Sequence, residues 1–460
     1  MAALSTRYDA GRYAEVLARY CAADDREAVL RLLDRHGMSL IDSGAADVVR
    51  TCLSRFVGND ERDAALIAVK AALASQAGHH DAAEAWFNQA IALARDPELE
   101  ASLVYRSSLG LLRRGRTDCI DALERCAARS SSLETELLAT LSTAYVVANR
   151  LDDARRAAWR ARDQIGRSVR ACREPRTLHQ IAYAALRCGE FAEAKRFARE
   201  TVSCALHQGN HDLASRGYSV LYELAQVIEC DPEQALRYIE AAGECAAKSG
   251  DAHVRVWATM GALYIEADRG NVTAMRALEA SLDAVDVVQS PEESGEALLP
   301  VEALRRAWNG EFAQAYRLLG ESAEVQITAD RRALRFAEMA LYAAAAGLKD
   351  EARTSVDSAE WAMHEALSDT RHALQAQAYL TLAAALASGV ADAEPRLTRF
   401  LQNRLDHSPT MEALARSVRA VHAYWSGARN HGEVLESLDM MREQHLGGIA
   451  RLFEALPVPQ

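Results

Sequence analysis

One seven-residue phrase recurs along the chain and constrains its fold more than any other feature. It reads AGHHDAA from Ala77, ANRLDDA from Ala148, CGEFAEA from Cys188, NGEFAQA from Asn309 and AGLKDEA from Ala346. Each copy places a turn residue second and an alanine five residues later. Weaker copies start at Arg114 (RGRTDCI), Glu229 (ECDPEQA) and Arg269 (RGNVTAM). With further turn signals at Gly11, Gly44, Gly389 and Gly427, the markers fall at 11, 44, 78, 115, 149, 189, 230, 270, 310, 347, 389 and 427, always 33 to 42 residues apart. A period in that range signals a stacked helical repeat.

The phrase has a physical reading. Glycine ends a helix because it enters the left-handed region without steric cost. Acidic residues such as Asp81, Asp152 and Asp350 follow, where capping and the helix dipole favour them at a new N-terminus. The alanines Ala83, Ala154, Ala194, Ala235, Ala315 and Ala352 then fall in the first turn of a second helix and let two antiparallel helices approach closely. A second small position twelve residues past the marker holds Ala90, Ala127, Ala161, Ala242 and Ala359. In the copy at Ala77, Phe87 reads as a buried wedge and Pro97 as the end of the unit. No segment alternates β-branched residues with period two, so no strand competes. The expected fold is all-α, an α-solenoid of about eleven helix hairpins wound as a right-handed superhelix.

Composition agrees. Half of the 460 residues are hydrophobic and only nine are proline, which suits helices and exceeds one compact core. The net charge of -12 argues against nucleic-acid binding by the chain itself. The nine cysteines form no CxxC pair and read as buried thiols in a reducing compartment. No apolar run is long enough to span a membrane as a helix, and no secretory leader opens the sequence. The expected location is the cytoplasm.

At these phrases the sequence resembles tetratricopeptide-type repeat proteins, best over 77–95 and 144–163, although many steps are near 40 rather than 34 residues. A narrower likeness lies in Gly11–Phe56, GRYAEVLARYCAADDREAVLRLLDRHGMSLIDSGAADVVRTCLSRF. Its G-x-Y-A-E start, the phrase RHGMSLIDSG, and Asp47 and Leu53 in the next helix resemble the start of the repeat region in MalT-like regulators of the LuxR family. That resemblance implies an ATPase before the repeats, a helix-turn-helix after them and a signal-dependent role in transcription. No G-x-x-x-x-G-K-[ST] loop and no compact helix-turn-helix unit occur in this sequence. The chain is therefore expected to be the sensor part of a larger regulator or, alternatively, a free-standing adaptor. Its expected organisation is a helical cap over 1–56, repeats over 57–445 and a tail over 446–460.

Several clusters of polar residues overlap this repeat. His79, His80, Asp81 and Glu84 suggest a metal site, but sibling copies hold unrelated residues in those slots and no HExxH spacing occurs. No metal and no cofactor are expected. Neither a GxSxG elbow nor a phosphate loop is present, so no catalytic residues are expected and the chain reads as a non-enzyme. The segment Asp152–Arg176 is basic, with Arg156, Arg160, Arg167 and Arg170 near one helical stripe. It reads as a patch for an acidic partner or as a solvated outer face. The concave surface should be lined by the first helix of each hairpin. Counting back from the markers, Arg187, Asp268 and Trp308 lie two before, Tyr183 and Tyr264 six before, and His179 and Met260 ten before, with Tyr105 at the same offset. These residues form the expected groove for a protein partner or small-molecule effector; self-association is left open.

Overall fold

The computed structural model describes residues 2–42, 45–57, 62–77, 79–165, 174–250, 252–283, 291–321, 329–365, 370–402 and 408–459. Among them there are α-helices, one π-helical turn and no strand. The chain divides into two units, Met1–Leu213 and Ala214–Gln460.

The helices run in chain order as α1 (Ala2–Ala22), α2 (Arg26–Asp42), α3 (Ala46–Phe56), α4 (Ala64–Gln76), α5 (His80–Leu93), α6 (Pro97–Arg113), α7 (Ile120–Arg129), α8 (Glu134–Val147), α9 (Leu151–Ile165), α10 (Pro175–Arg187) and α11 (Phe191–His207). There follow α12 (His211–Glu223), the π-helical turn (Leu224–Ile228), α13 (Pro232–Ser249), α14 (Ala252–Arg269), α15 (Val272–Asp283), α16 (Pro291–Trp308), α17 (Phe312–Glu321) and α18 (Ala329–Ala345). The last are α19 (Lys349–Glu365), α20 (Arg371–Ser388), α21 (Val390–Gln402), α22 (Pro409–Trp425), α23 (His431–Glu443) and α24 (Gly447–Ala455).

The repeat phrase sits at the turn of each hairpin. Nine of the expected markers, from Gly115 to Gly427, carry a positive φ. Asn149 and Cys230 do so without being glycine, at φ 56 and 52; the αL region costs a β-carbon about 1–2 kcal/mol. The phrase alanines Ala83, Ala154, Ala194, Ala235, Ala315 and Ala352 are all buried, as are Ala90, Ala127, Ala161, Ala242 and Ala359. These small residues are where paired helices meet. First helices also pack on one another: α8 against α6 and α10, and α18 against α20. Consequently α8 and α20 are buried around most of their circumference, whereas α9 buries only Ala154, Ala157, Ala158, Ala161 and Ile165. First helices are thus interior elements, and second helices form the outer layer.

Three expectations change. Gly11 lies inside α1, and the first turn falls at Ala23–Asp25 with Asp24 at φ 58. A single interior glycine costs a helix about 1 kcal/mol, too little to break one flanked by good helix formers. Pro97 does not close a unit; it opens α6 behind the Asp96 cap, whose carboxylate accepts from the Glu98 amide at 3.2 Å. The segment expected as a tail instead contains α24, with Ile449, Leu452 and Phe453 buried. Gly44 and Gly78 lie outside the described residues.

Among the described residues the cysteines are free, and all but the half-buried Cys204 are buried; Cys172 lies outside them. Also among those residues, no helix is long and apolar enough to cross a membrane.

Candidate binding surfaces

In unit 1 the expected groove residues share one stripe of α10. Glu174 caps this helix by accepting from the Arg176 amide at 3.3 Å. Ile181, Ala182, Ala184, Ala185 and Leu186 are buried, while His179, Tyr183 and Arg187 stay half-buried. The His179 and Tyr183 rings lie 6.4 Å apart, and the Arg187 guanidinium sits 5.1 Å from the Tyr183 ring centre. Tyr183 is therefore an aromatic platform with an imidazole on one side and a cation on the other. Buried Gln180 and Thr140 bond to each other at 3.0 Å and fix α10 against α8. On α6, burial pushes the Tyr105 hydroxyl up to about 12, with Arg176, Glu174, Arg106 and Glu136 around it.

The basic patch behaves differently. Arg156 pairs with Asp153, and Arg160 lies 3.5 Å from Glu134, both arginines on the exposed side of α9. Arg167 and Arg170 lie outside the described residues. The acidic residues of the His79–Glu84 cluster are likewise engaged. Glu84 accepts from Arg114 at 2.6 Å and Arg116 at 2.7 Å, and Asp81 lies 3.3 Å from Arg114. These bonds, from Arg114 first, hold the Glu84 carboxyl below the usual range. No group of three or more His, Cys, Asp or Glu side chains among the described residues is placed to hold a metal ion.

Unit 2 holds the more unusual surface. Tyr264 and Asp268 of α14 face Arg331, Arg335, Glu338 and Tyr342 of α18 and Arg371, Gln375 and Tyr379 of α20. The α18 residues are spaced i, i+4, i+7 and i+11, one face of a helix. Arg371, with only 2% of its side chain exposed, pairs with Asp268 at 2.5 Å. Arg335 bonds to the Tyr264 hydroxyl and lies 3.7 Å from Glu338. Gln375 donates to Tyr379 at 2.8 Å, and His372 Nδ1 lies 3.1 Å from Asp330. Burial pushes the Glu338 carboxyl up to about 7, against Arg335 and with Asp268. Burial also lowers the His372 pKa despite its bond to Asp330. Glu338 still keeps 21% of its side-chain surface. A carboxyl can keep some surface and still be strongly desolvated where protein atoms crowd around it.

α24 packs beside these residues. Phe453 stands edge-on to Tyr379 at 6.3 Å, and α24 packs against α14 and α16. Trp308, expected to line the groove, instead donates from Nε1 to the Gly448 carbonyl at 2.7 Å, with the Arg451 guanidinium 5.5 Å from its ring centre. Met260 is likewise a core residue, buried among Leu263, Ala267, Met275 and Val301. Counting back from turns gives Tyr264 and Asp268 on α14, but on α18 it misses the polar residues. There six and ten before the marker fall on Leu341 and Ala337, both fully buried, one position before Tyr342 and Glu338, because the inward face is rotated by one residue. The missed signal was in the sequence: Arg331, Arg335 and Glu338 interrupt an otherwise alanine-rich helix at helical spacing.

No protein-family profile matches this sequence. No curated protein matches it either. Among solved structures, it is similar to the apo form of the quorum sensor NprR from B. thuringiensis (TM-score 0.45, 14% identity, 78% of this chain and 97% of that one). It is also similar to the APC/C hetero-tetramer Cut9–Hcn1 (TM-score 0.37, 13% identity, 88% and 89%) and to Ton1535 from Thermococcus onnurineus NA1 (TM-score 0.27, 11% identity, 83% and 98%). None reaches a TM-score of 0.5, so they bear on neither the ligand nor the partners of this chain.

Proposed function

We propose that this chain is a non-catalytic receptor module. An effector or a segment of a partner protein binds among the inward-facing polar side chains of unit 2. The observation that carries this reading is the convergence of Asp268, Arg335, Glu338 and Arg371 from three first helices into a desolvated interior. Charged groups are costly there, and well-packed apolar residues would stabilise the fold at least as well. Such constellations in a concave space are candidate binding sites. The likeness of Gly11–Phe56 to MalT-like regulators makes signal-dependent control of transcription the setting we favour. Ligand binding would then shift the population of two states of the module, as different affinities for those states require.

The test is retention of small molecules. The purified chain is incubated with a metabolite extract, washed, and analysed by mass spectrometry, with thermal shift as second readout. Wild type should retain a compound that an Arg335→Ala/Glu338→Ala variant of equal helicity does not. Equal retention by both would remove the site from this interior.

A second reading is an adaptor that holds a partner's segment on the α10 stripe of unit 1. The half-buried row His179, Tyr183 and Arg187, whose intervening residues are buried, favours it.

A further inference from the structure

The outer side of α10 carries a feature that its inner stripe does not explain. Ile181, Ala184, Ala185 and Cys188 are spaced i, i+3, i+4 and i+7, one face of the helix, on the side away from His179, Tyr183 and Arg187. With α9 and α11 beside them, they floor a notch with about 270 Å³ of empty space, part of it open to solvent. Trp159 of α9 and Phe197 of α11 also line it. Phe197 is buried, but the Trp159 indole is 41% exposed. Tryptophan is enriched at protein interfaces and among the residues that carry their binding energy.

The rim of the notch is charged. Arg155 donates from Nη2 to the Cys188 carbonyl at 2.9 Å, and its Nε is buried without a hydrogen-bond partner, 3.5 Å from Glu190. Glu193 pairs with Arg196 at 2.6 Å, so both glutamates of the rim are already faced by a guanidinium. Arg162 lies 5.8 Å from the Trp159 ring centre and pairs with its chain neighbour Asp163 at 3.0 Å. An exposed pair of this kind is weak and can exchange for a partner's carboxylate.

We propose that this notch docks an acidic segment of a partner protein. The segment inserts one large apolar side chain between Trp159 and Phe197 and sets its carboxylates against Arg155 and Arg162. The size of the notch favours a side chain over a free effector, because small-molecule pockets enclose about 300–1,000 Å³. Charge selects the partner. Residues 150–200 hold thirteen basic and seven acidic residues in a chain of net charge -12, so this stretch attracts an acidic segment that the rest of the chain repels. The surface lies wholly in unit 1 and is independent of the reading of the unit 2 interior.

The experiment uses the full chain and fluorescence anisotropy with three short labelled peptides: glutamates around one phenylalanine, glutamates around one alanine, and lysines around one phenylalanine. The first should bind, and more weakly as salt rises, while the other two should bind at least about tenfold more weakly. Trp159→Ala and Arg162→Glu should each weaken the first peptide about tenfold, with circular dichroism unchanged. Trp361→Ala, at an exposed tryptophan of unit 2, should leave its affinity at wild type. If Trp159→Ala fails to fold, Arg162→Glu carries the test. Absence of binding by the first peptide, equal binding by either of the others, or affinity unchanged in the folded variants overturns the proposal. So does a dimer, seen by sedimentation, that Trp159→Ala dissociates, because the notch would then belong to a second copy of the chain.

Discussion

Replacing Gly448 by alanine tests how α24 is seated. A β-carbon there would run into the carbonyl of Ala267 and lie 3.0 Å from Trp308 Cζ2. The carbonyl belongs to the last turns of α14 and cannot rotate aside as a flexible side chain would. Adding a methyl group to a packed site costs about 1–3 kcal/mol, and a backbone obstacle places this change near the top, about 3 kcal/mol. The control is Gly347→Ala in the α18–α19 turn, where φ is 77 and no other atom lies within 4 Å of the added carbon. Its cost is conformational alone, about 1–2 kcal/mol, and is not located at α24. The assay is amide hydrogen exchange read on peptides covering α24. A loss of about 3 kcal/mol in local stability speeds exchange about 150-fold. Gly347→Ala should leave those peptides near wild type. If Gly448→Ala exchanges no faster than wild type in α24, the close approach of α24 to α14 is wrong.

Four further outcomes are expected. The Glu338 carboxyl, raised from 4.5 to about 7, favours the folded state while protonated, so its contribution is complete below about pH 4.5 and is lost as pH rises through about 7, by at most about 3 kcal/mol; Glu338→Gln should flatten that part of the stability–pH curve in urea unfolding. Ala194→Leu, at a fully buried position, should overpack the α10–α11 hairpin and lower stability by about 1–3 kcal/mol, and an unchanged melting curve would count against the hairpin register. Tyr183→Ala and Arg187→Ala should weaken partner binding on unit 1 without loss of helicity, if that stripe is a docking surface; unchanged affinity in both would place the contact elsewhere. The isolated chain should not shift duplex DNA at physiological salt, and a sequence-specific shift with a steep salt slope would refute this.

The hairpins were legible because their grammar is local. A left-handed turn residue, an acidic first turn and an alanine at the crossing lie within seven residues, and each acts on its nearest neighbours. The alanines could therefore be assigned to helix contacts in advance, and Ala154, Ala194, Ala235 and Ala315 are all fully buried. The site was only half legible because a helix's inward face depends on its rotation against neighbours far away in sequence. Arg371 and Asp268 are 103 residues apart, and no offset within one repeat links them. The fate of Trp308 depends on Gly448, 140 residues later. The glycines of α24 carry no periodic signal, since their purpose is the close approach to α14, and so the segment read as a tail.

The two first-helix surfaces also differ in a way the repeat alone does not explain. On α10 the uncovered residues are an imidazole, a phenol and a guanidinium, side chains that remain partly hydrated. On α18 and α20, guanidinium and carboxyl groups are placed where alanine and leucine would satisfy the same packing. Arg371 keeps an unbonded Nε even while it pairs with Asp268, and Glu338 gives up much of its acidity. Burial of this kind weakens a fold or leaves it no stronger than apolar packing would, so packing alone gives no reason for it. Binding of a ligand in the interior of unit 2, as proposed above, would supply the compensation that the repeat itself does not.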